Sequence, residues 1–276
     1  CFSASLYVLF LVIIPSMTSL AETLAHLRLH KDFVANVVAW ERRPSLPPRH
    51  TPLQTPVTPQ ILTALEKRGI SQLYSHQTAA IDATLEGNNV VIATSTASGK
   101  SLCYTVPVLH KLLNNPTARA LYLFPTKALA HDQQAETAAI LAAGNLPVEV
   151  NSYDGDTPRS KRRGVRAAGG ILISNPDMLH AGILPYHTSW RALFSNLAYV
   201  VVDEIHVYRG IFGSHVGNVL RRLQRLCQFY GSDPQFICCS ATIANPKEHA
   251  ERLIERPFHL VPESQNGAPT AEKQFI

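Results

Sequence analysis

Apolar and polar positions alternate along this chain between two kinds of run. Short, nearly unbroken apolar stretches fall at 89–93, 119–124, 147–151, 170–173, 197–202, 235–239 and 257–261. Between them, apolar residues recur three or four positions apart over 100–114, 127–142, 158–168, 177–184, 213–230 and 246–255, the period of helices with one buried face. Strands that are apolar on both sides of the pleat are buried on both faces, and their regular alternation with helices makes them parallel. The predicted class is therefore α/β, a parallel sheet with helices on both faces. Ligands of such sheets bind beyond the carboxyl ends of the strands, so chemistry is sought just after each apolar run.

The chain ahead of the first strand reads differently. Over 19–40, Leu20, Leu24, Leu27, Val34 and Val38 have helical spacing, and Ser19 with Glu22 makes a capping box. A stretch with Pro44, Pro47, Pro48, Pro52, Pro56 and Pro59 then reads as a stiff extended linker and a boundary. Thr58 followed by Pro59 is an N-cap with proline at the first helical position, and that helix runs to Arg68 with Gly69 closing it. A second helix starts at Ser75 and ends before Gly87. The expected division is a short helical extension with its linker over 1–57, an α/β domain over 58–262 and a tail over 263–276. Leu6 to Ile14 is a run of nine apolar residues, about half of a membrane span. With no basic segment before it and no small-residue cleavage site, it does not read as a signal peptide. Because the chain opens on Cys1, Met17 is taken as the natural start and 1–16 as a segment without function; no membrane association is expected.

Composition narrows the picture only a little. A chain of 276 residues, 46% of them apolar, suffices for one large α/β domain plus an extension, or for two small domains. The net charge of +5 is compatible with a nucleic-acid partner without requiring one. The five cysteines include no C-x-x-C pair, which removes zinc-knuckle and dithiol redox readings and leaves buried thiols in a reducing cytosol. The histidines show no H-E-x-x-H spacing, and a zinc reading of His206 with His215 is set aside. Residues 159–166 hold five basic side chains, read as a solvated helix face with phosphate contacts as the alternative. Arg221, Arg222 and Arg225, above Leu220, Leu223 and Leu226, also read as an exposed face.

Three strand ends carry candidate chemistry. After Val90–Ala93 comes Thr94-Ser95-Thr96-Ala97-Ser98-Gly99-Lys100-Ser101, a phosphate loop in which Thr94 replaces the usual first glycine. Gly99 lets backbone amides face phosphates, the following helix points its positive end at them, Lys100 reaches the terminal phosphates and Ser101 ligates Mg²⁺. After Leu197–Val202 come Asp203 and Glu204, the first suited to hold Mg²⁺ through water and the second to orient and deprotonate an attacking water. After the strand ending at Cys239 come Ser240-Ala241-Thr242, which in isolation would be a turn.

Together these segments resemble motifs I, II and III of superfamily 2 DEAD/DEAH-box-type helicases. Pro125-Thr126-Lys127-Ala128-Leu129-Ala130 resembles motif Ia, Asn175-Pro176-Asp177 resembles motif Ib, and Gln77 resembles the adenine-reading glutamine. Residues 95–101, Tyr153-Asp154-Gly155-Asp156-Thr157-Pro158 and 206–215 resemble the Hrq/MrfA (YprA-like) DNA helicases in particular. The resemblance implies a RecA-like first motor domain, ATP and Mg²⁺ as fuel, a DNA track, 3′-to-5′ movement linked to repair, a cytoplasmic location and a second RecA-like domain farther along the protein. It implies that Gln77 reads adenine and that the loop from Thr94 through Lys100 to Ser101 holds the nucleotide. Pro125, Thr126, Lys127, Gly155, Asp156, Asn175, Pro176 and Asp177 lie on the nucleic-acid backbone, Ser240 and Thr242 couple the two sites, and His206 transmits across a domain interface. Thr126, Asn175 and Asp177 also suit ordinary helix caps.

Rival functions stay open on sequence alone. One is an RNA helicase or translocase of the same superfamily, since no aromatic–basic interleaving decides between DNA and RNA. Another is a nucleotide- and nucleic-acid-binding module without catalysis, against which Lys100, Asp203 and Glu204 argue. A small-molecule phosphate-loop kinase does not explain the Ser-Ala-Thr and Pro-Thr-Lys segments.

Overall fold

A computed structural model describes residues 19–275; Leu6–Ile14 and Met17 lie outside them. The chain divides into two compact units, one of residues up to Leu46 together with those from Thr270, the other Pro47–Pro269. In the smaller unit, helix α1 (Leu20–Leu29) opens with the expected capping box: the Ser19 hydroxyl accepts from the Glu22 N–H and the Glu22 carboxylate accepts from the Ser19 N–H, both at 3.2 Å. A short helix α2 (Lys31–Val34) follows, and strand β1 (Glu41–Arg43) pairs antiparallel with Lys273–Phe275. The Trp40 indole N–H donates to Gln274 at 2.9 Å, and the Arg28 guanidinium lies 4.5 Å from the centre of the Trp40 ring.

The larger unit begins inside the proline-rich stretch. Much of that stretch packs here rather than spanning open solvent. Val57 is buried, the Thr78 hydroxyl donates to the Thr51 carbonyl at 2.7 Å, and the Asp82 carboxylate accepts the N–H groups of Gln54 and Thr55. Helix α3 (Pro59–Lys67) has Pro59 in its first turn and Gly69 just beyond it at φ +79°. Thr58 stands at the N-cap, but its hydroxyl meets His110 Nδ1 at 3.0 Å and makes no capping bond. Helix α4 (Ser75–Leu85) follows.

The elements then alternate as β2 (Val90–Ala93), α5 (Ser101–Asn114), β3 (Arg119–Leu123), α6 (Lys127–Gly144), β4 (Val150–Ser152), α7 (Arg159–Ala167), β5 (Gly170–Ser174), α8 (Pro176–Met178), α9 (Arg191–Asn196), β6 (Leu197–Val202), α10 (Gly210–Phe229), β7 (Gln235–Ser240), α11 (Pro246–Ile254) and β8 (His259–Val261). All seven strands pair in parallel in the order β4-β5-β3-β6-β7-β2-β8. Side chains alternate strictly across it. Ile92, Tyr122, Ile173, Val201 and Cys239 enter one apolar layer with α3 to α6, while Val91, Leu121, Val200, Val202 and Cys238 enter the other. Each fully buried aliphatic contributes roughly 1.5–3 kcal/mol, which explains why the strands read as unbroken apolar runs. Register then sets the site: Ala93 lies opposite Ser240, Val202 opposite Cys238, and Leu123 opposite both Val202 and Ser174. Every motif-bearing loop leaves the same rim.

The stretch expected as a helix over 177–184 departs from its pattern. After α8 the turns widen over Leu179–Ile183 and tighten over Leu184–Trp190, with a kink at Tyr186. Pro185 has no N–H to continue the ladder. Helix α10 starts three residues before the expected 213, at Gly210; Gly213 is required there, because a Cβ would lie 2.3 Å from the Tyr208 carbonyl oxygen.

Candidate active site

The phosphate loop leaves β2 and curls into α5. Gly99 at φ +80° makes the last reversal, and an added Cβ would sit 2.7 Å from Gln77 Nε2. Ala97 also adopts a left-handed conformation, at φ +61°. The buried hydroxyls of Thr94 and Ser98 meet at 2.8 Å and brace the loop from inside. Lys100 Nζ donates to the carbonyls of Thr94 at 3.0 Å and Ser95 at 2.9 Å. An ammonium satisfied only by backbone carbonyls at a helix N-terminus suits exchange for phosphate oxygens. Gln77 is buried with both ends of its amide engaged: the Tyr74 N–H donates to Oε1 and Nε2 donates to the Gly99 carbonyl, each at 2.9 Å. The candidate adenine reader is thus tied to the loop it would report on.

Two strands along the rim, about 10 Å by sheet spacing, β6 ends in the acids. The Asp203 N–H donates to the Leu123 carbonyl at 3.0 Å, and the Asp203 carboxylate accepts the Glu204 N–H at 2.8 Å. Burial, reinforced by the neighbouring Glu204 charge, pushes the Asp203 carboxyl up to about 6. Glu204 has φ +50° and ψ +43°, a left-handed conformation that costs a non-glycine residue about 1–2 kcal/mol and that swings its side chain off the line of the strand. The Ala241 N–H donates to His206 Nδ1 at 3.2 Å, which puts the ring proton on Nε2. Glu204 Oε2, although 3.1 Å from Nδ1, therefore receives no hydrogen bond and is buried without a partner, as is the Ser240 hydroxyl. Buried polar atoms are seldom left unmatched. Two of them beside a carboxyl raised by burial form a donor set that suits a cation with a polar ligand, so Ser101 and Asp203 fit a Mg²⁺ bound together with phosphates. Among the described residues no three His, Cys, Asp or Glu side chains form a metal cage, and a phosphate-bound Mg²⁺ needs none.

The other half of the rim holds the candidate track. The Thr126 hydroxyl accepts from the Leu129 N–H at 3.3 Å and Asn175 Oδ1 accepts from the Met178 N–H at 2.7 Å, so both cap the turns that follow them, whereas Asp177 lies inside its turn. Pro125 and Pro176 bound those loops. Lys127 Nζ pairs with Asp156 at 2.6 Å, so a phosphate at this lysine would lie beside a carboxylate. Asp154 is buried, which alone would raise its carboxyl, yet hydrogen bonds from the Asp156 N–H and the Thr157 hydroxyl hold it below its ordinary range. Tyr153 anchors this loop, edge-on to the buried Trp190 at 4.8 Å. Gly155 lies at its tip near Lys127.

The fold thus gathers the loop Thr94–Ser101, Gln77, Asp203, Glu204, His206, Ser240 and Thr242 on the β2–β7–β6 side, and the Pro125, Gly155 and Asn175 groups on the β3–β5–β4 side. Two contributors escaped sequence reasoning. Tyr104, whose hydroxyl donates to Gln133 at 2.9 Å, looks like any apolar helix position. Glu263, whose carboxylate accepts the Ser95 N–H at 2.7 Å, lies in a tail without periodicity.

A parallel sheet of this order, with a phosphate loop and adjacent acids on one rim, defines a RecA-like domain of the helicase type. A family model described as DEAD/DEAH box helicase matches residues 74–249, and the chain belongs to that family. It is 52% identical over 241 residues to the uncharacterized ATP-dependent helicase YprA of Bacillus subtilis and 41% identical over 240 residues to the ATP-dependent helicase HRQ1 of Saccharomyces cerevisiae. Those alignments cover 87% and 84% of this chain but 32% and 22% of the relatives, so the chain spans a third or less of their length. The crystal structure of the DUF1998 helicase MrfA bound to DNA and AMPPNP superposes with a TM-score of 0.88 at 50% identity, over 93% of this chain and 35% of that one.

Proposed function

We propose that this chain is the nucleotide-binding motor domain of an ATP-dependent DNA helicase of the Hrq/MrfA kind. The observation that carries the reading is one rim holding both a phosphate loop with adjacent acids and, beside it, the turns capped by Thr126 and Asn175. Lys100 leaves its backbone carbonyls for the terminal phosphates, Ser101 and Asp203 would hold Mg²⁺, and Glu204 takes the proton of the attacking water. When bound, the metal neutralises charge on the phosphates. His206 accepts from Ala241, so a change at the acids moves the Ser240–Thr242 turn. Gln77 passes the presence of adenine to Gly99. Pro125, Thr126, Lys127, Gly155, Asp156, Asn175, Pro176 and Asp177 follow the DNA backbone. A second RecA-like domain of the longer protein supplies the facing half of the ATP site. Among the described residues no helix is long and apolar enough to cross a membrane, and the four buried free thiols suit a reducing cytoplasm.

Strand displacement by the full-length protein tests this. Tailed DNA duplexes are expected to unwind with ATP, those with 3′ tails faster than those with 5′ tails, and matched RNA duplexes to stay paired. Equal or better unwinding of RNA would replace the DNA reading with that of an RNA remodeller. The domain work belongs to DNA repair in this reading, so loss of the gene should sensitise cells to DNA-damaging agents.

A further inference from the structure

Beyond β8 the chain does not leave the site. Residues 263–267 cross back over the entrance to α4 and the start of the phosphate loop, and five contacts lock them there. The Arg49 guanidinium donates to the carbonyls of Ser264 at 3.0 Å and Asn266 at 2.7 Å. The Ser75 hydroxyl donates to the Gln265 carbonyl at 2.7 Å. The Gly267 N–H donates to His76 Nδ1 at 3.3 Å, and its carbonyl accepts the Arg49 N–H at 2.8 Å. Only glycine fits at 267, because a Cβ would lie 2.3 Å from the Arg49 carbonyl oxygen and 2.5 Å from the Ser75 hydroxyl.

This strap aims one carboxylate at the loop. Glu263 Oε2 accepts the Ser95 N–H at 2.7 Å and lies 3.5 Å from the Thr242 hydroxyl, at the limit of hydrogen-bond reach. Its Oε1 accepts from Asn266 Nδ2 at 3.0 Å, and the same Nδ2 donates to the Ser95 hydroxyl at 3.0 Å. Ser95 is thus held at its N–H and its hydroxyl by the strap, while its carbonyl is held by Lys100. When Lys100 moves to a phosphate, the carbonyl restraint is lost. The Glu263 hydrogen bond, charge-assisted and mounted on a locked strap, then keeps the peptide from following. We propose that Glu263 is a positioning residue: it fixes the first half of the phosphate loop in its nucleotide-receiving form and joins that loop to the Ser240–Thr242 turn. The inference rests on reading Thr94–Ser101 as a nucleotide site.

The test has three readouts. Hydrogen exchange at the Ser95 amide, followed by NMR, is expected to quicken at least tenfold in Glu263→Ala and to stay near wild type in Glu263→Gln, which keeps an acceptor. In titrations with a fluorescent non-hydrolysable ATP analogue, Glu263→Ala should weaken binding about tenfold. Glu263→Gln should bind as wild type does or more tightly, since it also removes a negative charge near the phosphates. In the full-length protein the defect should appear in KM for ATP rather than in kcat. Lys100→Ala serves as the control for the nucleotide reading. If wild type binds no nucleotide, that reading fails, and the Ser95 exchange data still decide the hydrogen bond. If Lys100→Ala abolishes binding while Glu263→Ala binds like wild type, the role given to Glu263 is overturned. Should Glu263→Ala not fold, Asn266→Ala and Glu263→Gln decide it: a Ser95 amide unprotected in Glu263→Gln, or nucleotide binding unchanged in Asn266→Ala, contradicts the proposal.

Discussion

At the residue scale the site holds side chains in states that they would not choose alone. Glu204 keeps a left-handed backbone, and its carboxylate oxygen is buried without a donor. Strain of this kind persists where function needs it. Glu204→Asn, which tolerates that backbone, should abolish ATP hydrolysis yet raise stability by roughly 0.5–1 kcal/mol in urea unfolding. Two buried titratable groups pull stability in opposite directions with pH. Burial lowers His76 from 6.5 to about 4, so between those values the unfolded state binds its proton and the folded state does not, and stability rises with pH. Burial raises Asp203 from 3.8 to about 6, so in that window the folded state binds the extra proton and stability falls as pH rises. The two oppose each other between pH 4 and pH 6. Denaturation midpoints across that range should therefore slope downward with rising pH in His76→Gln and upward in Asp203→Asn. Parallel profiles in both variants would remove the assigned burial of these groups.

At the scale of elements, the strands were legible because burial on both faces leaves a continuous apolar run, and Gly-Lys-Ser and Asp-Glu stand at their ends. Other elements were hidden for physical reasons. The strand pair of β1 with Lys273–Phe275 uses exposed Glu, Arg and Lys side chains and joins segments about as far apart in sequence as the chain allows, so no local pattern marks it. The turns after Asn175 break at Pro185, which disguises a segment that nevertheless supplies the buried Trp190. Thr58 has the composition of a cap, but His110 claims its hydroxyl, a partner visible only in three dimensions. Trp190 carries the loop of Tyr153 to Thr157 while its indole N–H is buried without an acceptor. Trp190→Ala should cost about 3–5 kcal/mol and loosen that loop, whereas Trp190→Phe removes an unsatisfied donor and should cost under about 1.5 kcal/mol; thermal melts and exchange at Asp154 and Asp156 separate the two.

At the scale of the whole molecule, one rim of one sheet carries both the candidate nucleotide site and the turns proposed as the track. β3 is common ground: its end lies beside the end of β6, which carries the acids, and beside that of β5, which carries the Asn175 turn. Movement at the acids thus has a short path to the proposed track. Catalysis of phosphoryl transfer is mostly positioning and charge stabilisation. The central claim, that Thr94–Ser101 grips ATP through Lys100, is tested most directly by calorimetric titration of this chain with Mg²⁺ and a non-hydrolysable ATP analogue. Saturable one-site binding that weakens at least tenfold in Lys100→Ala is expected. The absence of binding to the wild-type chain, or equal affinity in the variant, would contradict it.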